Sequence, residues 1–186
     1  MINEPNSTGA GSNEDPLMDF SNCHVGITKN FERLRKLAET EIEVPVQAEV
    51  KDAAKRLLAF FHDVVLEHHS EEEQELFAEV TDSARRGGED ATRALAMIDQ
   101  LTQEHRSLEA QWKAIEADIK LLSKGKSASL DQGAAAKLAS EYLAHATFEE
   151  QEFLPLSAKI LGERGLSSLG LSLHMRHTDV SIPNYI

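Results

Sequence analysis

Residues 68–75 read HHSEEEQE and decide the fold, because a close copy of this stretch, HATFEEQE, occupies residues 145–152. The two stretches agree at five of eight positions and lie 77 residues apart. In both, a histidine is followed four residues later by a glutamate, and residues four apart lie on one face of an α-helix. A short repeat on two separate helices is expected of a helical bundle whose halves are related by an approximate two-fold axis.

Apolar residues recur at helical spacing on both sides of each copy, and strand signals are nearly absent. Proline and glycine, such as Pro45, Gly87 and Gly125, separate the periodic segments. We therefore predict an all-α fold, an antiparallel up-down four-helix bundle with short connections. The predicted helices cover about residues 22–41, 46–84, 89–123 and 130–161.

The chain is expected to have three parts, of which the bundle, residues 20–162, is the largest. A flexible leader, residues 1–19, is predicted because this segment is polar and contains Pro5 and Pro16. Residues 163–186 form the third part, a short tail that we expect to pack on the bundle. Its leucines predict a short helix that caps the bundle, and Ile182-Pro183 predicts an extended end.

Composition excludes several classes of function. The 186 residues include 19 Lys and Arg against 32 Asp and Glu, a formal net charge of -13, which disfavours nucleic acid and suits cation uptake. No apolar run approaches the roughly 20 residues of a membrane helix, so no membrane association is expected. There is no secretory signal pattern, and the single cysteine, Cys23, excludes an internal disulfide. These features favour a cytoplasmic protein.

Each predicted helix carries a histidine on its apolar stripe, and the second and fourth helices add a glutamate one turn further on. Two carboxylates in one core need compensating positive charge. No lysine or arginine shares those stripes, whereas a bound metal ion would supply the charge and use the histidine nitrogens as ligands. The inward residues are His24, His68, Glu72, His105, His145 and Glu149.

The ferritin-like carboxylate bundle is the nearest rival fold. Its signature is Glu-x-x-His on two helices, with a further glutamate on each of the other two. Here the residues three before the inward histidines on the second, third and fourth helices are Val65, Thr102 and Tyr142. None of them is acidic, so the ferritin-like interpretation is disfavoured.

In helix order, spacing and repeat, residues 20–161 resemble the hemerythrin-like, or HHE cation-binding, family. The resemblance implies a non-haem di-iron centre inside a four-helix bundle. A bridging oxide or hydroxide would complete part of the coordination, and zinc or manganese could occupy the mixed nitrogen and carboxylate set in a purified sample. Glu72 and Glu149 would bridge the two irons, and the histidines would be terminal ligands. Carried over to this sequence, the ligands would be His24, His68, Glu72, His105, His145 and Glu149.

One ligand of the oxygen-carrying members of that family is missing. They have a second histidine on the third helix, one turn beyond the first, and here that position is Glu109. A replacement could come from His69, beside His68, or from the tail histidines His174 and His177.

Three functions are compatible with the implied centre. The first is binding or sensing of dioxygen or a related diatomic ligand such as nitric oxide. The second is a di-iron enzyme or iron-handling stress protein that oxidises iron, reduces peroxide or nitric oxide, or repairs iron centres. The third is a regulatory protein whose interactions depend on iron. The sequence leaves open whether the chain is an enzyme, whether it is a monomer or a homodimer, and which protein it binds.

Overall fold

The computed structural model describes residues 15–177, and every regular element in that range is helical. Helix α1 covers Pro16–Glu39, α2 covers residues 48–84, and α3 covers Glu89–Ser123. Helix α4 begins with Gln132–Phe148 and continues to residue 161; the backbone leaves the helical conformation at Gly162, and α5 covers residues 163–177. The predicted all-α class is confirmed, and no helix between residues 15 and 177 is long and apolar enough to cross a membrane.

The start of α1 differs from the prediction. The helix begins at Pro16, six residues before the expected start at residue 22. Asp15 caps it, because its side chain accepts a hydrogen bond from the Leu17 N–H at 3.1 Å, and proline suits the first helical position. Phe20 is buried, so α1 is already anchored in the core there. Residues 1–14 of the predicted leader lie outside the described residues.

Widened, π-helical turns interrupt α2 and α4, at Phe61–Val65, Glu72–Leu76 and Glu149–Phe153. The last two begin at the glutamate of each sequence repeat. In each, a backbone carbonyl accepts from an N–H five residues later, Phe77 N–H to Glu72 O and Leu154 N–H to Glu149 O. Such turns are rare and are often found at functional sites. The repeat in the sequence is therefore also a repeat in local structure.

Within residues 15–177, two apolar clusters fill the interior of the helical assembly. In the first, the rings of Phe61 and Trp112 stack with centroids 4.2 Å apart. In the second, Phe77 and Phe153 meet edge to face at 5.2 Å. Along α1, α2, α3 and α4 the side chains between these clusters are polar, and we call this region the polar layer. Because apolar packing closes it on both sides, the layer is held deep in the interior.

Side chains link the helices in a consistent order. Helix α1 packs on α4, α2 packs on α3, and α3 packs on α4. Between α2 and α3 the links are the pairs His62–Glu116, His69–Glu109 and Glu73–His105. These links fix which residues of neighbouring helices reach the polar layer together.

Helix α5 lies against α2. Leu169 and Leu173 are buried in the second apolar cluster. On the polar side, Arg176 donates hydrogen bonds to Glu67 at 2.8 Å and to Ser70 at 2.9 Å. The leucines of the predicted tail helix thus lie on α5, which covers one side of the sequence repeat at residues 68–75 of α2. Residues 178–186, including the predicted extended end, lie outside the described residues.

Candidate metal centre

All six side chains that the sequence predicts as inward residues lie in the polar layer. Each has a relative exposure of 3 % or less, so the layer is shielded from solvent. The possible ligand atoms form two overlapping groups, and within each group these atoms lie within 4.8 Å of one another. Both groups contain the two glutamates of the sequence repeats. The groups are His24, His68, Glu72 and Glu149, and Glu72, His105, His145 and Glu149.

The Glu72 carboxylate lies between histidines of different helices. Its Oε1 is 3.2 Å from His68 Nε2 on α2 and 3.7 Å from His24 Nε2 on α1. Its Oε2 is 3.2 Å from His105 Nε2 on α3. The two oxygens of one carboxylate therefore face two different sets of imidazoles, which is the arrangement that a bridging ligand requires.

Glu149 is the counterpart of Glu72 in the second repeat. Its Oε2 lies 3.0 Å from His24 Nε2 and 3.4 Å from His145 Nε2. Like Glu72, it thus contacts a histidine on its own helix and one on a neighbouring helix. The two glutamates together connect the histidines of α1, α2, α3 and α4.

Several of these atoms are buried and have no hydrogen-bond partner. They include both carboxylate oxygens of Glu72 and of Glu149, and the Nε2 atoms of His105 and His145. Buried polar atoms in native proteins are nearly always paired, and a buried carboxylate without a partner is costly. A cation bound among these lone pairs would satisfy all of them at once. The residues present therefore fit a metal centre.

Burial and crowding shift the pKa values of these groups. Burial raises the pKa of the Glu72 carboxyl well above its ordinary value, and the nearby Glu149 carboxylate raises it further. Burial lowers the pKa of His105, as do the neighbouring histidines. Burial also opposes protonation of His24, but the carboxylates of Glu149 and Glu150 outweigh it, so the pKa of His24 is raised. Neutral imidazole, as at His105, is the form that binds metal.

An outer ring of carboxylates orients the imidazoles. A carboxylate can only accept, so each contacted Nδ1 carries a proton, and in a neutral ring Nε2 is then the nitrogen with the lone pair. The four contacts are His24 to Glu150 at 2.7 Å, His105 to Glu73 at 2.8 Å, His145 to Glu104 at 2.9 Å and His69 to Glu109 at 3.0 Å. These contacts fix the tautomer and the ring direction that metal binding needs.

This outer ring was not predicted from the sequence, although part of it has a sequence signal. In both repeats the inward glutamate is followed directly by a second one, Glu73 after Glu72 and Glu150 after Glu149. The second glutamate of each pair orients a histidine on a different helix. Glu104, which precedes His105, belongs to no such repeat, so the sequence did not indicate that it orients a histidine.

His69, considered above as a replacement ligand, lies inside the polar layer. It is 1 % exposed, and a nitrogen of its ring lies within 4.8 Å of one on His105 and one on His145. Its ring stacks on that of His105, with centroids 4.0 Å apart and an interplanar angle of 6°. The Tyr142 hydroxyl is 3.4 Å from His69 Nε2.

The other candidate histidines lie elsewhere. The His177 side chain is 60 % exposed and its Nε2 is 2.5 Å from Glu71 on the outside of α2. His62, also exposed, contacts Glu116 at 2.6 Å. Neither they nor His174 belongs to the ligand groups found within residues 15–177. The structure therefore does not bring the tail histidines into the layer.

The closed layer of histidines and glutamates between two apolar clusters fits a helical protein with a metal-ion site. The model of the hemerythrin HHE cation binding domain matches residues 15–157, and the chain belongs to that family. No curated protein and no solved structure matches the chain.

Proposed function

We propose that the chain is a non-haem di-iron protein whose two metal positions share the carboxylates of Glu72 and Glu149. The observation that carries this proposal is the position of Glu72, whose Oε1 faces His68 while its Oε2 faces His105. One metal position lies on each side of the two carboxylates. The proposed ligands are His24, His68, Glu72, His105, His145 and Glu149.

The chemistry of the donor set supports iron as the metal. The set combines imidazole nitrogen with carboxylate oxygen and includes no thiolate. Such mixed sets suit iron, and they also accept manganese or zinc, which we expect as substitutes in purified protein. The outer carboxylates contribute by holding each imidazole with its Nε2 lone pair inward.

The number of donors leaves room for an external ligand. Four imidazole nitrogens and four carboxylate oxygens make eight donor atoms, whereas two octahedral ions accept about twelve. A pair of ferrous ions would supply the electrons to bind a diatomic ligand such as dioxygen or nitric oxide. The chain's own contribution is to exclude bulk water through the two apolar clusters and to keep the imidazoles oriented through the outer carboxylates.

We further propose that the helices form an antiparallel up-down bundle. The links between α2 and α3 support this, because residue numbers rise along α2 as they fall along α3. The links between α3 and α4 support it in the same way, with Glu104 bonded to His145 and Gln111 bonded to Glu141. This arrangement gives each repeat the same position relative to the polar layer.

Reversible binding or sensing of dioxygen is the function we propose for this centre. The test is to load metal-free protein anaerobically with ferrous iron, determine iron by elemental analysis, and follow absorption as air is admitted. We expect two irons per chain and a new near-ultraviolet band that disappears when oxygen is removed. A band that persists after oxygen removal would instead support an iron-oxidising or peroxide-reducing enzyme. Absence of bound iron would contradict the proposal.

A further inference from the structure

We propose that His69 is an additional metal ligand from α2, and that Glu109 on α3 is its positioning residue. The proposal rests on the proposed di-metal centre and deepens it. It gives one of the two positions a third histidine, alongside His105 and His145, so that the two positions are unequal.

The geometry places the His69 ring beside His105 and His145, at the same proposed metal position. Ligand atoms of these three residues lie within 4.8 Å of one another, and none of the three side chains is more than 2 % exposed. His105 and His145 also form a ligand group with Glu72 and Glu149. An ion bound by those four residues would therefore have the His69 imidazole beside it.

Hydrogen bonding gives His69 the orientation of a ligand. Its Nδ1 is 3.0 Å from the Glu109 carboxylate, as the Nδ1 of His105 is 2.8 Å from Glu73. In both residues the proton is held on Nδ1 and the Nε2 lone pair faces the layer. The same contact at an exposed site would be an ordinary surface pair, but His69 is 1 % exposed.

Ring packing fixes the plane of His69. The ring lies between His105, with centroids 4.0 Å apart and nearly parallel, and Tyr142, at 5.9 Å and 12°. The Tyr142 hydroxyl could satisfy Nε2 in place of a metal, but their separation of 3.4 Å is long for a hydroxyl donor. Such donors ordinarily lie about 2.5–3.0 Å from an acceptor. The one protein partner of His69 Nε2 among the described residues is therefore this long contact with Tyr142.

The other proposed metal position has fewer histidines and fewer orienting hydrogen bonds. It has two histidines, His24 and His68, and only His24 has a carboxylate on its Nδ1. The Nδ1 of His68 is buried and has no partner. Loss of such an orienting contact ordinarily weakens metal binding about 10–100-fold. We therefore expect the position with His69 to fill first and to release its ion more slowly.

The test compares His69→Gln with His62→Gln. His62 is a matched control, because it also lies on α2 and contacts a glutamate of α3, Glu116, but it is exposed and outside the layer. Each protein is loaded anaerobically with ferrous iron, desalted and mixed with an iron chelator, and iron release is followed. We expect the slowly released ion to leave His69→Gln about 10–100-fold faster than it leaves the wild type and the control.

Two further variants test the inference by other routes. Glu109→Ala keeps the imidazole but removes its orientation, so the slow release should again accelerate, whereas Glu116→Ala should behave as the wild type. Glu109→His combined with His69→Gln offers a replacement imidazole, because residue 109 already reaches the ring of His69, and it should restore slow release.

The outcomes separate this inference from the proposed function. Iron retained by every protein with identical release rates would overturn the role of His69 and leave the di-metal centre intact. No iron in the wild type would contradict the centre itself, and this inference with it. If circular dichroism shows that metal-free His69→Gln does not fold, the Glu109→Ala variant decides the question. Iron release from Glu109→Ala at the wild-type rate would then overturn the inference.

Discussion

Glu72→Met is expected to have opposite effects on stability without and with metal. In the wild type this side chain is 0 % exposed, and both of its oxygens lack hydrogen-bond partners. An unsatisfied buried polar group costs about 1–3 kcal/mol. Methionine has a similar length and no such requirement, so the free energy of unfolding of the metal-free protein should rise by about 1–3 kcal/mol. For a chain of this size that corresponds to about 2–12 °C in Tm.

In the presence of metal, the wild type should be more stable than Glu72→Met. A ligand that binds only the folded state, present at a thousand times its Kd, stabilises the protein by about 4 kcal/mol for each site. Because Glu72 faces histidines of both proposed positions, its loss should remove most of this stabilisation. The variant should then be less stable than the wild type by several kcal/mol in excess ferrous iron.

The assay is anaerobic urea unfolding followed by circular dichroism, once with chelator and once with ferrous iron. Asp63→Met is the control, because Asp63 lies on the same helix but is exposed, and exposed substitutions usually change stability by less than about 0.5 kcal/mol. The control should respond to metal as the wild type does. A Glu72→Met protein that is less stable than the wild type in chelator would refute the reasoning.

Three further predictions follow from the same structure. His68→Ala with His145→Ala should abolish most iron uptake, as measured by elemental analysis; retention of two ions would show that the ligand assignment is wrong. His177→Ala should leave iron content unchanged, because its side chain is exposed on α5, and loss of an ion would contradict this. Trp112→Ala removes a buried ring stacked on Phe61, so urea unfolding should show a loss of about 3–5 kcal/mol, with iron content retained. Destabilisation well below that range would contradict the packing described.

The helices and their inward faces could be predicted because both depend on local sequence. Helix α3 has the predicted bounds, and Asp131 caps α4 with its side chain accepting from the Ala134 N–H. Repeated His-x-x-x-Glu spacing placed the histidine and glutamate of each repeat on one face. The start of α1 was missed, because Pro16 was interpreted as a feature of the leader rather than as the first residue of a helix.

Features that depend on several helices at once could not be predicted. The outer carboxylates reach histidines on other helices, so their roles depend on how those helices are rotated and shifted against each other. The burial of both His68 and His69 is a second example, since a regular helix turns adjacent residues about 100° apart. The π-helical turn at Phe61–Val65 shifts the rotational phase of the whole helical segment that follows, and nothing in the sequence marked it.

The most direct test of the di-metal centre is anomalous diffraction at the iron edge from crystals of protein loaded anaerobically. We expect two peaks in the polar layer, one beside His24 and His68 and one beside His105 and His145, with Glu72 and Glu149 between them. A single peak, or iron bound only at the acidic surface, would contradict it.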